Sequence, residues 1–244
     1  DASSTGPAGG VRLTTQELTV TNGANVSAAT NSTNPSATGG NLTVQASQLN
    51  LTGNSSLEAG TTGVADAGSL IIQPLGNSQS LSVNFQDGST ASASTSGSGR
   101  GGTLTVTAPE SISLTGNGSF IAAETSGSGT GGDLTLETGT LTVRDEAKVT
   151  VSSTGTGNAG NLNVSANTVL LDNGQLIAQT ASGEGGNINL KVDDLLLMRN
   201  NSLISAQAGN NGNGGNIDID SRLIVAVPSE NSDIVADANR GNGG

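Results

Sequence analysis

The chain contains no cysteine, histidine, tryptophan or tyrosine, and only two phenylalanines and one methionine among its 244 residues. Each absence removes a class of chemistry. Without Cys there are no disulfide staples, although secreted proteins can do without them, so the compartment stays open. Without His, a Ser, Thr or Cys nucleophile lacks its usual base, and metal clusters of His and Cys are excluded. Without Trp or Tyr the platforms on which sugars normally stack are missing, which disfavours ordinary lectin chemistry. Charge is sparse as well. Twenty acidic and eight basic residues, most of them scattered singly, give a net charge of −12, which opposes binding to nucleic-acid phosphates or anionic lipid. No apolar run approaches the about 20 residues that a membrane helix needs.

What fills the space is Gly, 37 residues of it, with Ser, Thr, Asn and Ala. That composition alone would suggest a disordered chain, but disorder has no reason to keep an alternation of Leu, Val and Ile in register. The unit is GGNLTVQA at Gly39–Ala46. It returns as GGTLTVTA from Gly101, GGDLTLET from Gly131, AGNLNVSA from Ala159, GGNINLKV from Gly185 and GGNIDIDS from Gly214. The second glycines fall at Gly10, Gly40, Gly68, Gly102, Gly132, Gly160, Gly186, Gly215 and Gly244, in steps of 30, 28, 34, 30, 28, 26, 29 and 29 residues. Eight such repeats predict a solenoid that forms a single domain over residues 1–244. The segment ASSTGPAGG ending at Gly10 resembles the loop TSGSGRGG at Thr95–Gly102, and neither end shows a capping segment. The expectation is a piece cut from a longer array, whose open coil edges associate end to end or fray.

Each repeat carries three short alternating segments, for example Leu42 and Val44, then Leu49 and Leu51, then Leu57 and Ala59. In the seventh repeat the second segment is read as Leu195 and Leu197, and registers near Leu203 and Leu223 are ambiguous by one residue. Helical periodicity is absent, so a repeat has no partner for its apolar face except its neighbours. The predicted fold is all-β: a parallel β-helix of about eight coils of roughly 29 residues, three short strands each, with equivalent strands pairing in parallel at about 4.8 Å. Leu42, Leu104, Leu134 and Leu162 share one offset from the glycine pairs and are predicted to stack in one interior ladder. Asn22-Gly23, Gly53-Asn54, Asn117-Gly118, Asn173-Gly174 and Asn200-Asn201 suit a sharp bend between the second and third strands. The loops before each glycine pair, such as SGSGTGG and NNGNGG, are expected to project on one edge and tolerate variation. The 34-residue step contains Gln73-Pro74-Leu75-Gly76-Asn77, which reads as a bulged loop, and Phe85 and Phe120 read as larger members of the ladders.

Chemistry is limited to carboxylates. Paired acids could run glycoside hydrolysis, and the candidates are Asp145 with Glu146, Asp193 with Asp194, and Asp218 with Asp220. Neighbours on a strand point to opposite faces, so only Asp218 and Asp220 are expected to share the outer one. No aromatic floor or basic cluster accompanies them, and a solvated exterior is the better reading. Calcium could use the same carboxylates, but Gly214-Gly215-Asn216-Ile217-Asp218 puts Ile where the nonapeptide calcium repeat has its third Gly. Triplets such as Asn41-Leu42-Thr43 arise by chance in this composition. No catalytic, cofactor-binding or metal residue is assigned, and the chain is expected not to be an enzyme.

GGNLTV, then QLNLTGNSSLEA, then a T-x-G-x-G loop resembles the long secreted proteins of the filamentous haemagglutinin type exported by two-partner secretion, especially the many-repeat forms from photosynthetic bacteria often labelled S-layer-like. Leu223–Ala238, LIVAVPSENSDIVADA, is similar to a stretch that recurs in them. The resemblance covers the whole chain. It implies a right-handed parallel β-helix, which is also the general preference of parallel crossovers, export through the outer membrane by a partner transporter, and an extracellular or cell-surface role in adhesion or matrix formation. Alternatives are a self-assembling filament or sheath subunit and a polysaccharide-active β-helix enzyme. Receptor and glycan stay unnamed.

Overall fold

A computed structural model of the chain describes residues 6–209, 212–239 and 241–244. Ala2–Thr5 of the opening segment and Asn210-Asn211 of the NNGNGG loop therefore lie outside the described residues. The first three coils carry three strands each: β1 (Val11–Thr14), β2 (Glu17–Val20) and β3 (Asn25–Ser27); β4 (Leu42–Ala46), β5 (Gln48–Leu51) and β6 (Ser56–Glu58); β7 (Leu70–Pro74), β8 (Ser82–Gln86) and β9 (Thr90–Ser92). From the fourth coil the first two segments run together. The long strands are β10 (Leu104–Thr115), β12 (Leu134–Arg144), β14 (Leu162–Asp172), β16 (Ile188–Arg199) and β18 (Ile217–Ala226), each followed by a short one: β11 (Phe120–Ala122), β13 (Lys148–Thr150), β15 (Gln175–Ile177), β17 (Leu203–Ser205) and β19 (Asp233–Val235). The prediction of three strands per coil thus holds for the first three coils only. In the second coil a single residue, Ser47, parts the two segments, and the third coil keeps them apart because residues 75–80 bulge out after Pro74 before Leu81 returns to the core.

All pairings are parallel. An 11-stranded sheet collects the first and second segments, and an eight-stranded sheet collects β3, β6, β9, β11, β13, β15, β17 and β19. This is a parallel β-solenoid of eight coils, essentially without helix. Leu42, Leu70, Leu104, Leu134, Leu162, Ile188 and Ile217 pair one to the next, and all but the last are fully buried. Val11 pairs with Leu42 although it stands one residue after Gly10 and Leu42 two after Gly40, so this one-residue difference is absorbed before the strand begins. Phe85 lies between Leu51 and Leu114 in a second buried ladder, as a larger member of it. The short strands add Leu57, Ala91, Ile121, Val149, Leu176 and Ile204, also fully buried.

One predicted register is wrong. Val169 and Leu171 pair with Leu196 and Met198, both fully buried, while Leu195 and Leu197 face outward. Between Val192 and Leu195, β16 carries one residue more than either neighbour. This bulge at Asp193-Asp194 moves every later side chain to the other face, because the side-chain period is two.

The glycine-rich loops do not project as expected; they form the third wall of the coil. Thr30, Thr61, Thr95, Thr125, Ser153 and Thr180 bridge one another in parallel where each loop starts. Beyond them the backbones close to a distance no side chain fits. A Cβ added to Gly127 would lie 1.5 Å from the Gly97 carbonyl oxygen, and one on Gly97 1.6 Å from that of Gly63. The second glycines of the repeat make another such column: a Cβ on Gly102 would lie 1.8 Å from the Gly68 oxygen, and one on Gly132 2.0 Å from that of Gly102. Their N–H groups also close the loops onto the residue that follows the short strand, Gly102 donating to the Ala93 carbonyl at 2.7 Å and Gly132 to that of Ala123 at 3.0 Å. The residue after each pair captures the next coil: Asp133 accepts from the Asn161 N–H at 2.8 Å, and Asn187 from that of Asn216 at 3.0 Å. At the opposite corner Asn22, Asn54, Asp87, Asn173, Asn200 and Asn201 have φ between 52° and 61°, so the predicted bends use the left-handed region as proposed.

Two substitutions separate these claims. Leu134→Asp buries an unpaired charge in the interior ladder and is expected to cost at least about 4 kcal/mol in chemical denaturation. Gly127→Ala should cost about 1–3 kcal/mol or more through overpacking, whereas Ser128→Ala, on the exposed side of the same loop, should stay within about 0.5 kcal/mol. Equal tolerance at both positions would restore the picture of a projecting loop.

Candidate functional site

The structure places Asp218 and Asp220 as predicted. Both are exposed on the outer face of β18, on either side of Ile219, beside Asn189 and Lys191 of the preceding coil. With Thr135, Glu137, Asn163 and Ser165 they line a shallow groove of about 410 Å³. Two residues apart on one strand, they project side by side from an open face rather than from two walls across a bound chain. Glu137 shares a column with Ser165, Lys191 and Asp220, three coil steps away, or about 14 Å. That exceeds the about 5–9.5 Å over which paired carboxylates act on a glycosidic bond.

The other two pairs depart from the strand rule used to separate them. Asp145 and Glu146 lie in the turn between β12 and β13 with φ of 57° and 68°, and both are exposed. Asp193 and Asp194 are both exposed because the bulge turns both outward, and Arg222 approaches Asp194 at 3.9 Å. Neither pair faces an enclosed space.

Two concavities were not read from the sequence. One is a trough of about 490 Å³ along the first coils, between the outer side of β3, β6 and β9 and the loop wall. Its lining is mostly hydroxyls, with the amides of Asn25 and Asn31, the carboxylates of Glu58 and Glu124, and small residues at Ala29 and Gly60. Glu124 accepts from the Thr150 hydroxyl at 2.7 Å and donates its N–H to Ser94 Oγ at 3.0 Å. The run of Ala29, Gly60 and Ser94 at one outward position was the sequence signal for this hollow. The second, about 590 Å³, lies where β8 meets the start of the second segment of β10 and holds Glu17, Gln16, Gln48 and Glu110. Ser80 and Ser82 both donate to the Glu110 carboxylate, the latter at 2.6 Å, and hold it below the usual glutamate range.

The strongest polar constellation closes the last bend. Arg199 donates through Nε and Nη2 to both oxygens of Glu230, at 2.5 and 2.6 Å, and the Asn200 N–H adds a third bond at 3.1 Å. Pro228–Glu230, a short 3-10 turn that ends at Asn231 with φ of 50°, brings Glu230 there. Chemically this is a clamp between coils, with no free nucleophile or acid. Among the described residues no group of three or more carboxylates converges as a metal site, and no helix is long and apolar enough to cross a membrane. No protein-family model, curated protein or solved structure matches the chain.

The clamp predicts a pH dependence. Hydrogen bonds from Arg199 lower the folded-state pKa of Glu230 from its ordinary value, so its contribution is fully present above the unfolded glutamate range and is lost as pH falls through the lower folded value. Thermal melts of the native chain and Glu230→Gln should differ slightly at neutral pH, since the pair is partly exposed, and converge in strong acid. A difference that grows on acidification would contradict the assignment.

Proposed function

We propose that this chain is a section of an extracellular stalk that mediates attachment or matrix formation at a cell surface and catalyses no reaction. The observation that carries this reading is the continuous stack: one apolar interior runs through eight coils, and among the described residues no coil departs from the ladder to build an enclosed site. Eight parallel coils at about 4.8 Å make a rod of about 38 Å, and further coils would extend it without a new design. Such a rod sets distance and displays surface, which is what a stalk requires. The exterior of Ser, Thr, Asn and Gln suits exposure to solvent outside the cell, and the resemblance to two-partner-secretion exoproteins supplies export through an outer-membrane partner transporter.

A second reading, a self-assembling filament subunit, is favoured by the last described coil. Ile224 and Ile234 are each 45% exposed there, whereas Leu196 and Ile204, their partners one coil earlier, are fully buried. A further coil, from the same polypeptide or from another copy, would cover them. The polysaccharide-enzyme reading draws least support, because the carboxylates lie on open faces.

Two measurements test the leading reading. Beads coated with the full chain should be retained on cell or matrix surfaces above beads coated with albumin, and equal retention would remove the adhesive claim. Incubation with pectin, alginate and sulfated glycans should release no oligosaccharide; release abolished by Asp218→Ala would replace the stalk with an enzyme.

A further inference from the structure

The second half of the large sheet changes character along the rod. One outward column reads Thr19, Asn50, Asn84, Ser113 and Thr142, then Leu170, Leu197 and Val225. The column beside it runs through Thr140 and Thr168 to Leu195 and Leu223. Leu170, Leu195, Leu197, Leu223 and Val225 thus form one aliphatic block on a face that is otherwise polar. None of them serves the interior, where Val169, Leu196 and Ile224 occupy the inward positions between them. Leu223 is 54% exposed and the other four are half-buried. A polar residue would suit these positions as well as it does one coil earlier, so the fold does not require the leucines. Apolar patches of this kind mark contact surfaces.

We infer that this face pairs with the same face of a second copy of the chain, the two rods side by side and pointing the same way. A two-fold axis parallel to the rods reverses the strands and keeps the coils level. It sets the Leu195 column of one copy over the Leu197 column of the other, so the block covers itself. The flanking charges then meet with opposite sign on the seventh coil: Asp193 and Asp194 border the block on one side, Arg199 on the other, with 43% of the Arg199 side chain still exposed beside Glu230. The half-sheet spans about 38 Å by about 17 Å, roughly 650 Å², near the about 800 Å² per partner of a specific interface. The aliphatic block on the last three coils supplies the apolar part of such a contact, and the Ser, Thr and Asn columns of the earlier coils its polar part. A lipid surface is disfavoured by the carboxylates around the block and the net charge of −12.

The pairing is independent of the stalk reading, since adhesion of beads and lateral association fail separately. Sedimentation equilibrium of the full chain over a wide dilution series should show a reversible approach to twice the 23.7 kDa monomer mass. Added salt should strengthen it by screening the like net charge. Small-angle scattering should show a thicker cross-section at unchanged rod length. Leu195→Thr with Leu197→Thr, the residue types of nearby coils, should weaken the dimer at least about tenfold with an unchanged β-sheet spectrum. Leu223→Thr, at the most exposed site, should act in the same direction and guards against misfolding of the double variant. A monomer at every concentration and salt, a dimer that lengthens rather than thickens, or one that both variants leave intact would overturn the inference.

Discussion

Between the glycines of successive coils there is no room for a side chain. Along Gly40, Gly68, Gly102 and Gly132, and again along Gly63, Gly97 and Gly127, the carbonyl oxygen occupies the place a Cβ would take. This constraint sets the rest. Glycine at these points lets the third side of each coil follow its neighbour at the spacing that strand pairing sets elsewhere, so all three walls keep one pitch. The glycine N–H then ties each loop back to the residue that follows the short strand, as at Ala93, Ala123 and Val151.

With the backbone so committed, polar side chains handle what strand pairing leaves over. Asn41, Asp133, Asn161 and Asn187 each receive an N–H from the following coil just before its strand begins. Asn and Asp take the left-handed bend at the opposite corner, where most side chains would be strained. The abundance of Asn, Ser and Gly that makes the composition look disordered is therefore local structural work repeated once per coil. Among the described residues the ladders admit one large aromatic, Phe85, which packs fully buried between Leu51 and Leu114.

The interior ladders were legible because period-2 alternation and the spacing of glycine pairs are local properties that eight repeats restate. What failed depended on neighbours. In Asp193-Asp194-Leu195-Leu196-Leu197-Met198 two registers satisfy alternation equally, and the choice is made by Val169 and Leu171 across the pairing and by a bulge that no local signal announces. That same error concealed the outward leucines and the outward turning of both Asp193 and Asp194. The loops were misread for a different reason. Glycine in a sequence suggests freedom, and only the packing reveals that it stands here for want of space. The trough beside Glu58 and Glu124 was likewise invisible until the outward columns were aligned coil by coil.

A coil has no stability of its own, and contact with its neighbours supplies all of it. This points to a rod whose length is free to vary and whose surface alone carries function. The most direct test is equilibrium unfolding of shortened chains containing one, two, four and eight whole coils, cut at the glycine pairs. The account predicts no folded state for one coil and a denaturant midpoint that climbs with coil number as interfaces accumulate. A single coil that unfolds cooperatively by itself, or a midpoint that does not change with coil number, would contradict it.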